Sequence, residues 1–302
     1  MEGSSHTENL QKKSKLSAYA LWFSERFPAI NFVSSYLLFA FVFVYASVLN
    51  QSSMEWTIKE IFLALGILTQ LLLLRVLDEF KDHEYDKEHH PDRVLQKGIL
   101  GLDDLRAILF LSVSAQVVLN IIWGDPLNGS WLLMMLWTFL MTKEFFIGNW
   151  LRKRVFLYLF SHMTVMIFLV SWLFSFYGLS VTDSWPALSL IFIGSVLYEI
   201  TRKSRGLDED KRLDSYPKVI GFLGNTTLML TLALGLFVVK FVFIVNQFHW
   251  IYTWDLLAGF IFVVSLFLFH LKRRKKFRKV LEANYGGLMM ALYLSYVINQ
   301  MV

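Results

Sequence analysis

Nine long apolar runs recur along the chain, each separated from the next by a polar or charged connection. A helix that crosses the hydrocarbon of a bilayer needs about 20 apolar residues. Its backbone N–H and C=O groups must all be satisfied within the segment, which leaves the α-helix as the form such runs adopt. The runs predict spans at 32–49, 58–77, 105–123, 131–149, 155–177, 185–200, 226–245, 256–271 and 285–302, the sixth and eighth being short. At 56% hydrophobic over 302 residues, the chain is too apolar for a soluble domain. Residues 17–30 read as an amphipathic segment lying in the membrane interface, anchored by Trp22 and Phe23. Residues 1–16 are polar, with no apolar stretch of signal-peptide type, and are expected to be a disordered tail.

The connections alternate in charge. Those after the first, third, fifth and seventh spans carry few Lys or Arg. Those after the second, fourth, sixth and eighth are basic, and Lys12, Lys13, Lys15 and Arg26 fall on the same side. Basic loops stay cytoplasmic, so the N-terminus and active site are expected in the cytoplasm and the C-terminus outside. This topology accounts for the net charge of +5 without a nucleic-acid partner. The absence of cysteine excludes a disulfide framework, a thiol nucleophile and a thiolate metal site. Two cytoplasmic connections, 75–106 and 199–221, are long, and each opens on an acidic residue at the end of an apolar span. Long connections of this kind are usually functional or disordered. They are expected to cap the active site of the single domain 17–302, as two related halves facing one site.

The first of these connections opens on Asp78-Glu79-Phe80-Lys81-Asp82-His83-Glu84-Tyr85-Asp86. Asp78, Asp82 and Asp86 are four apart, a spacing that stacks them on one face of a helix. Like charges so close repel, and a divalent cation relieves that repulsion. Mg²⁺ binds through a few carboxylates together with substrate phosphate oxygens, so Asp78, Glu79, Asp82 and Asp86 are candidate metal and catalytic ligands. The plainer alternative is a solvated helix end with Lys81 and Lys87 as partners.

The order Arg75-x-x-Asp78-Glu79-x-x-Asp82-x-x-x-Asp86, followed by Arg93-Val94-Leu95-x-x-Gly98, resembles the first signature of the UbiA superfamily of intramembrane prenyltransferases. The usual form there is N-D-x-x-D-x-x-x-D and then R-P-L-x-x-G, so Asp78, Glu79 and Val94 are departures at intact spacing. The family's second motif, D-x-x-x-D after the sixth helix with a trailing Gly, is matched at Glu199 and Gly221, but Lys203 stands at the second acid. Either Arg202 and Lys203 replace a metal ion there, or Asp208, Asp210 and Asp214 supply carboxylates from further along. The plainer reading is a Glu199–Lys203 ion pair on a helix end. The resemblance implies an all-α integral membrane protein with nine transmembrane helices around a central cavity. It implies Mg²⁺ as cofactor and a polyprenyl diphosphate as substrate, whose prenyl group passes to a lipophilic acceptor. Arg75, Arg93, Lys153, Arg202 and Lys203 become the diphosphate-side residues, with Tyr216 in a supporting place.

Several residues admit more than one reading. Glu144 lies in an apolar stretch, where an ionisable group is a functional candidate, or a buried structural pair with Arg152 or Lys143. His83, His89 and His90 do not meet the H-E-x-x-H zinc pattern, because Lys87 stands at its last position. His162 reads as a hydrogen-bonded interior histidine, with proton transfer as the alternative. The run 272–279, basic at all positions but Phe277, reads as an anchor to anionic lipid headgroups. Phe and Trp from the spans are expected to line a tunnel for the isoprenoid tail, where ring faces stabilise a cation. Two other functions fit the pattern less well. A cyclase would use the same ionisation to close the isoprenoid on itself. A transporter or lipid-binding protein would place its charges near the midplane rather than at helix ends.

Overall fold

The structure, a computed structural model, describes residues 15–125, 128–209 and 214–302. Within them regular structure is helical throughout. The α-helices are α1 (Lys15–Arg26), α2 (Ala29–Leu49), α3 (Ile58–His89), α4 (Leu102–Trp123), α5 (Gly129–Thr142), α6 (Gly148–Leu151), α7 (Val155–Met163), α8 (Val165–Ser175), α9 (Val181–Arg202), α10 (Tyr216–Val238), α11 (Thr253–Lys272) and α12 (Lys275–Met301). Single 3₁₀ turns occur at Glu144–Phe146 and Trp250–Tyr252, and a π-turn, Val239–Ile244, continues α10.

Seven segments are long and apolar enough to cross a membrane: Ala29–Leu49, Ile58–His89, Leu102–Trp123, Val155–Ser175, Val181–Arg202, Tyr216–Ile244 and Trp250–Lys272. The chain is thus an all-α, multi-pass integral membrane protein. Two predicted spans differ. The run 131–149 is not one helix: α5 stops at Thr142, and Glu144, Phe145 and Phe146 take left-handed backbone angles (φ 49, 54 and 59). Few non-glycine residues adopt that conformation, and three in succession turn the chain out of the helix. The run 285–302 lies within α12, which is long, but begins on a basic turn and carries Asn284, Ser295, Asn299 and Gln300. The predicted loop 75–106 is shorter than expected, because α3 runs on to His89 over 32 residues. At about 1.5 Å per residue α3 is roughly 48 Å long, more than the ~30 Å hydrocarbon layer requires. The predicted loop 199–221 narrows likewise: α9 runs on to Arg202 and Tyr216 begins α10.

The chain divides into two compact units. The first holds the described part of Met1–Tyr36, with Trp56–Asn128 and Thr138–Phe145. Thr57 caps α3 and Glu60 reaches back to it, a capping box that fixes where the helix begins. Ala18 and Trp22 of α1 pack with Val76, Val94, Leu95, Leu100 and Leu105. Trp22 is fully buried in this cluster, so it anchors α1 to protein rather than to the lipid interface as predicted. Of the tail 1–16, residues 1–14 lie outside the described residues, while Lys15 and Leu16 open α1. A buried amide chain crosses the unit: Gln116 donates to Gln70 at 3.1 Å and Gln70 to Thr138 at 2.9 Å.

The second unit holds Leu37–Glu55, Gly129–Trp137 and Phe146–Val302. Ser180 and Asp183 form a capping box that starts α9. Tyr285 of α12 donates to the Gly194 carbonyl of α9 at 2.7 Å. Gly221 has φ 72 and breaks α10 near its start, an angle only glycine takes at little cost. Beyond that helix Lys240 is fully buried, and its ammonium donates to Asp255 (2.5 Å), Ser295 (2.6 Å) and the Leu292 carbonyl (2.6 Å). Ser295 in turn donates to Asp255 at 2.8 Å.

Candidate functional site

Two helix ends carry the chemistry predicted from the sequence, and each is built by its own unit. In the first unit the last three turns of α3 present Asp78, Glu79, Asp82 and Asp86. They are therefore on a helix rather than in a loop. Glu79 is 1% exposed and takes a hydrogen bond from Arg26 of α1. Asp86 is 3% exposed and takes one from Arg93. Asp78 is half-exposed, 3.4 Å from Lys81 and 3.8 Å from Arg75. Asp82 makes no ion pair with Arg or Lys among the described residues; it is partly desolvated, attracted by the Lys81 charge and repelled by those of Asp78, Asp86 and Glu144. The neighbouring Glu25 of α1 accepts the Val94 N–H at 3.1 Å. Val94 and Leu95 are buried, and Gly98 (φ 68) turns the chain after them, which gives the Arg93-Val94-Leu95-x-x-Gly98 stretch its shape.

The histidines here do not gather. His89 stacks on Tyr85 with ring centroids 4.0 Å apart and its Nδ1 lies 3.0 Å from the Tyr85 carbonyl. Burial, and then the Arg93 charge, hold His90 below the ordinary imidazole value, so it is neutral near pH 7. His83 Nδ1, both polar atoms of the Gln96 amide and Trp22 Nε1 are buried with no hydrogen-bond partner among the described residues. Such groups are uncommon in folded proteins.

In the second unit the last turn of α9 carries Glu199, which is 8% exposed. Arg202 grips it with two hydrogen bonds, 2.9 and 2.8 Å, and Lys203 lies 3.0 Å away. This end therefore has one negative charge and two positive ones. The Lys203 ammonium lies 5.7 Å from the centre of the Tyr158 ring, and Tyr158 stacks on His162 at 3.9 Å. His162 is the interior, hydrogen-bonded histidine predicted, its Nδ1 2.8 Å from the Tyr158 carbonyl. Tyr216 is buried, its ring 6.0 Å from Phe156 and its N–H donating to the Lys203 carbonyl at 3.3 Å. Lys153 is exposed, and Arg154 lies 3.8 Å over the Trp150 ring.

The further acidic candidates do other work. Asp208 accepts the Lys275 N–H at 2.7 Å and so caps α12. Its neighbour Glu209 accepts two hydrogen bonds from Arg278, 2.9 and 2.8 Å, and the Gly206 N–H at 2.8 Å. Asp214 offers its backbone carbonyl to Arg205 at 3.3 Å, with its side chain exposed. Asp210 lies outside the described residues. The run 272–279 is mostly exposed, but Arg278 is buried and clasps Glu209 instead of facing lipid. Sequence reasoning missed Arg26, Glu25 and Arg278, whose partners lie 53, 69 and 69 residues away.

Among the described residues no three His, Asp or Glu side chains converge as a ready metal cage. The donor chemistry fits a lighter arrangement. Asp78 and Asp82 stand one helical turn apart, while Glu79 and Asp86 already accept from arginines. Mg²⁺ commonly binds through one or two carboxylates, with substrate phosphate and water completing its octahedron.

The helices together take a fold also found in other solved structures. Two solved structures carry that likeness. One concerns digeranylgeranylglyceryl phosphate synthase in membranes; it matches 95% of this chain and 99% of its own, with a TM-score of 0.65 and 15% identity. The other is the apo structure of a UbiA homolog from Aeropyrum pernix K1, with 88% and 98% covered, a TM-score of 0.60 and 13% identity. At such identities the fold is what is shared. In sequence, no family model and no curated protein matches the chain.

Proposed function

We propose that the chain is an intramembrane prenyltransferase of the UbiA type, which ionises a polyprenyl diphosphate and passes the prenyl group to a lipophilic acceptor. The observation that carries the reading is the likeness, over 95% of the chain, to a structure of digeranylgeranylglyceryl phosphate synthase, joined to the acidic face of α3 with Arg93 seven residues beyond Asp86. The bond between prenyl C1 and the diphosphate oxygen breaks, and its electron pair leaves with the diphosphate. The allylic cation is captured by the acceptor, which then releases a proton. Stabilising the departing anion is the main task, and preorganised cations do this well in a site shielded from water. Arg75, Arg93, Lys153, Arg202 and Lys203 are assigned to the diphosphate. Asp78 and Asp82 would hold Mg²⁺, which when bound withdraws charge from the leaving group. Glu79 and Asp86 keep Arg26 and Arg93 in place. Glu144, near Asp82, adds negative charge that favours a cation there.

The test is to incubate purified protein with geranylgeranyl diphosphate, Mg²⁺ and a membrane-lipid extract, and to follow pyrophosphate and lipid products by mass spectrometry. Pyrophosphate release with a prenylated lipid is expected. A terpene hydrocarbon or alcohol formed without acceptor would assign a cyclase instead. Saturable, ion-coupled uptake into vesicles with no pyrophosphate release would overturn the enzymatic reading. The basic connections are assigned to the cytoplasmic side. Because the chain has no cysteine, Lys276→Cys and Gln247→Cys variants report orientation directly. The first should react with an impermeant thiol reagent from the cytoplasm and the second from outside.

A further inference from the structure

The charges at the end of α9 pair with one another, but the backbone that carries them is placed from a distance. The last carbonyls of a helix have no partner within it and must find one elsewhere. The Arg202 carbonyl finds Arg278 of α12, whose Nη1 donates to it at 3.2 Å across 76 residues of sequence. The same guanidinium donates twice to Glu209, at 2.9 and 2.8 Å, and also to Glu282. Arg278 is only 7% exposed. A guanidinium presents five N–H donors in a rigid fork, so one side chain serves a helix end, a loop and its own helix at once.

The loop is fastened around this point. Leu207 donates its N–H to the Arg273 carbonyl at 2.6 Å, and Asp208 accepts the Lys275 N–H at 2.7 Å. A Cβ at Gly206 would stand 2.7 Å from the Arg273 carbonyl oxygen and 2.8 Å from the Arg274 backbone, so the chain passes flush against the turn between α11 and α12. The Lys203 carbonyl accepts the Tyr216 N–H at 3.3 Å. Arg202 and Lys203 thus have their main chain pinned, while their side chains stay 47% and 27% exposed. A preorganised anion site needs this combination, donors left open on a backbone that does not move. Buried ion clusters add little net stability over well-packed apolar side chains, so the effect of this one lies in the position it imposes.

We propose that Arg278 is a positioning residue for the diphosphate. It touches no substrate; by holding the Arg202 carbonyl and the Glu209 carboxylate together it sets where the Arg202 and Lys203 side chains meet the anion. The inference rests on the prenyl-diphosphate reading and adds to it a residue of α12.

The test is a double-mutant cycle on the full chain in detergent, with geranylgeranyl thiolodiphosphate as the non-hydrolysed probe and Kd read by calorimetry. Arg278→Met should raise Kd about tenfold, the scale of one lost charge-assisted contact. Arg202→Ala with Lys203→Ala removes both cationic side chains but keeps the carbonyl that Arg278 holds, so the clasp is still there to be broken. In that background Arg278→Met should raise Kd less than about twofold. Tyr285→Phe cuts the hydrogen bond from α12 to the Gly194 carbonyl of α9 instead and should leave Kd within about twofold of wild type. Equal losses from Arg278→Met in both backgrounds would overturn the proposal, because a general loosening of the fold does not depend on the Arg202 and Lys203 side chains. A comparable loss from Tyr285→Phe would do the same. Should Arg278→Met fail to fold, Arg278→Lys takes its place. One ammonium cannot reach all three partners, so Kd should rise at least about threefold in the wild type and not in the double-alanine background; no rise in the wild type overturns the proposal. A wild-type chain that does not bind the probe, or binds it equally well with both alanines in place, would remove the diphosphate assignment and this inference with it. Binding that the two alanines weaken and Arg278→Met does not sinks the inference alone.

Discussion

The end of α3 and the end of α9 solve opposite electrostatic problems. A helix C-terminus carries partial negative charge and favours cations. At α9 the chain complies: Arg202 and Lys203 follow Glu199 within one turn and balance it locally. At α3 Asp78, Glu79, Asp82 and Asp86, four of the six carboxylates in its last three turns, crowd the same kind of terminus, against the helix dipole and against each other. Glu79 and Asp86 among them are balanced by positive charge brought from elsewhere, Arg26 from α1 and Arg93 from the following loop. The difference teaches that the acidic end is held by tertiary structure, whereas the basic end is a local product of its own helix. Groups kept in an unfavourable setting by imported partners are better candidates for function than groups whose neighbours in sequence already satisfy them.

The comparison is broken most directly at Asp82. Asp82→Asn should lower prenyl-diphosphate turnover by on the order of 10²-fold or more, the scale on which a preorganised electrostatic group acts. Pyrophosphate release measures it, and unchanged turnover would take the acidic end out of the mechanism. At the basic end the effect should be smaller. Lys203→Ala removes one of two cations, and a lost charge-assisted contact of ~1.5 kcal/mol corresponds to about tenfold. Inorganic pyrophosphate affinity should fall by that factor while protein stability is little changed, since Arg202 still pairs with Glu199.

The mildest effect concerns the loop after α9. Burial pushes the Glu209 carboxyl up, but the Arg278 and Gly206 hydrogen bonds and the Arg278 and Arg205 charges outweigh it and hold it below its ordinary 4.5. A carboxyl lowered on folding contributes stability above its unfolded value, and that contribution fades as pH falls through the lowered one. The clasp should therefore be intact at neutral pH and loosen only below the ordinary glutamate range. Hydrogen exchange at the Leu207 amide, which donates to the Arg273 carbonyl at 2.6 Å, should stay slow from neutral pH down to about 5 once intrinsic rates are corrected, and quicken at lower pH. Early loss near neutrality would mean that Arg278 does not control the loop.

The membrane character and most helices were legible because hydrocarbon imposes a simple demand, length and apolarity, which composition reports directly. The acidic stretch and its spacing were legible for a similar reason: i, i+4 geometry is local. Three things were not. The break after Thr142 hides in a sequence with no proline or glycine between Trp131 and Ile147, since left-handed residues such as Phe145 leave no compositional trace. How far α3 continues past its apolar run, to His89, was hidden because apolarity marks only the membrane-crossing part of a helix. The role of Trp22 was misread because an amphipathic segment looks the same whether its apolar face meets lipid or protein. Asp208 resembled a metal ligand in the sequence, and only the position of Lys275 shows it as a cap, with Glu209 beside it as the clasp for Arg278.

The knot around Lys240 has a consequence for how the chain is made. The lysine leaves the ribosome fifteen residues before Asp255 and fifty-five before Ser295. A helix bearing an unmatched ammonium enters a bilayer at a cost of about 2.5–3.5 kcal/mol. Its partners arrive only when α11 and α12 have been synthesised. Biogenesis of this part of the chain is therefore a matter of waiting, with Lys240 settled only once α12 has been made.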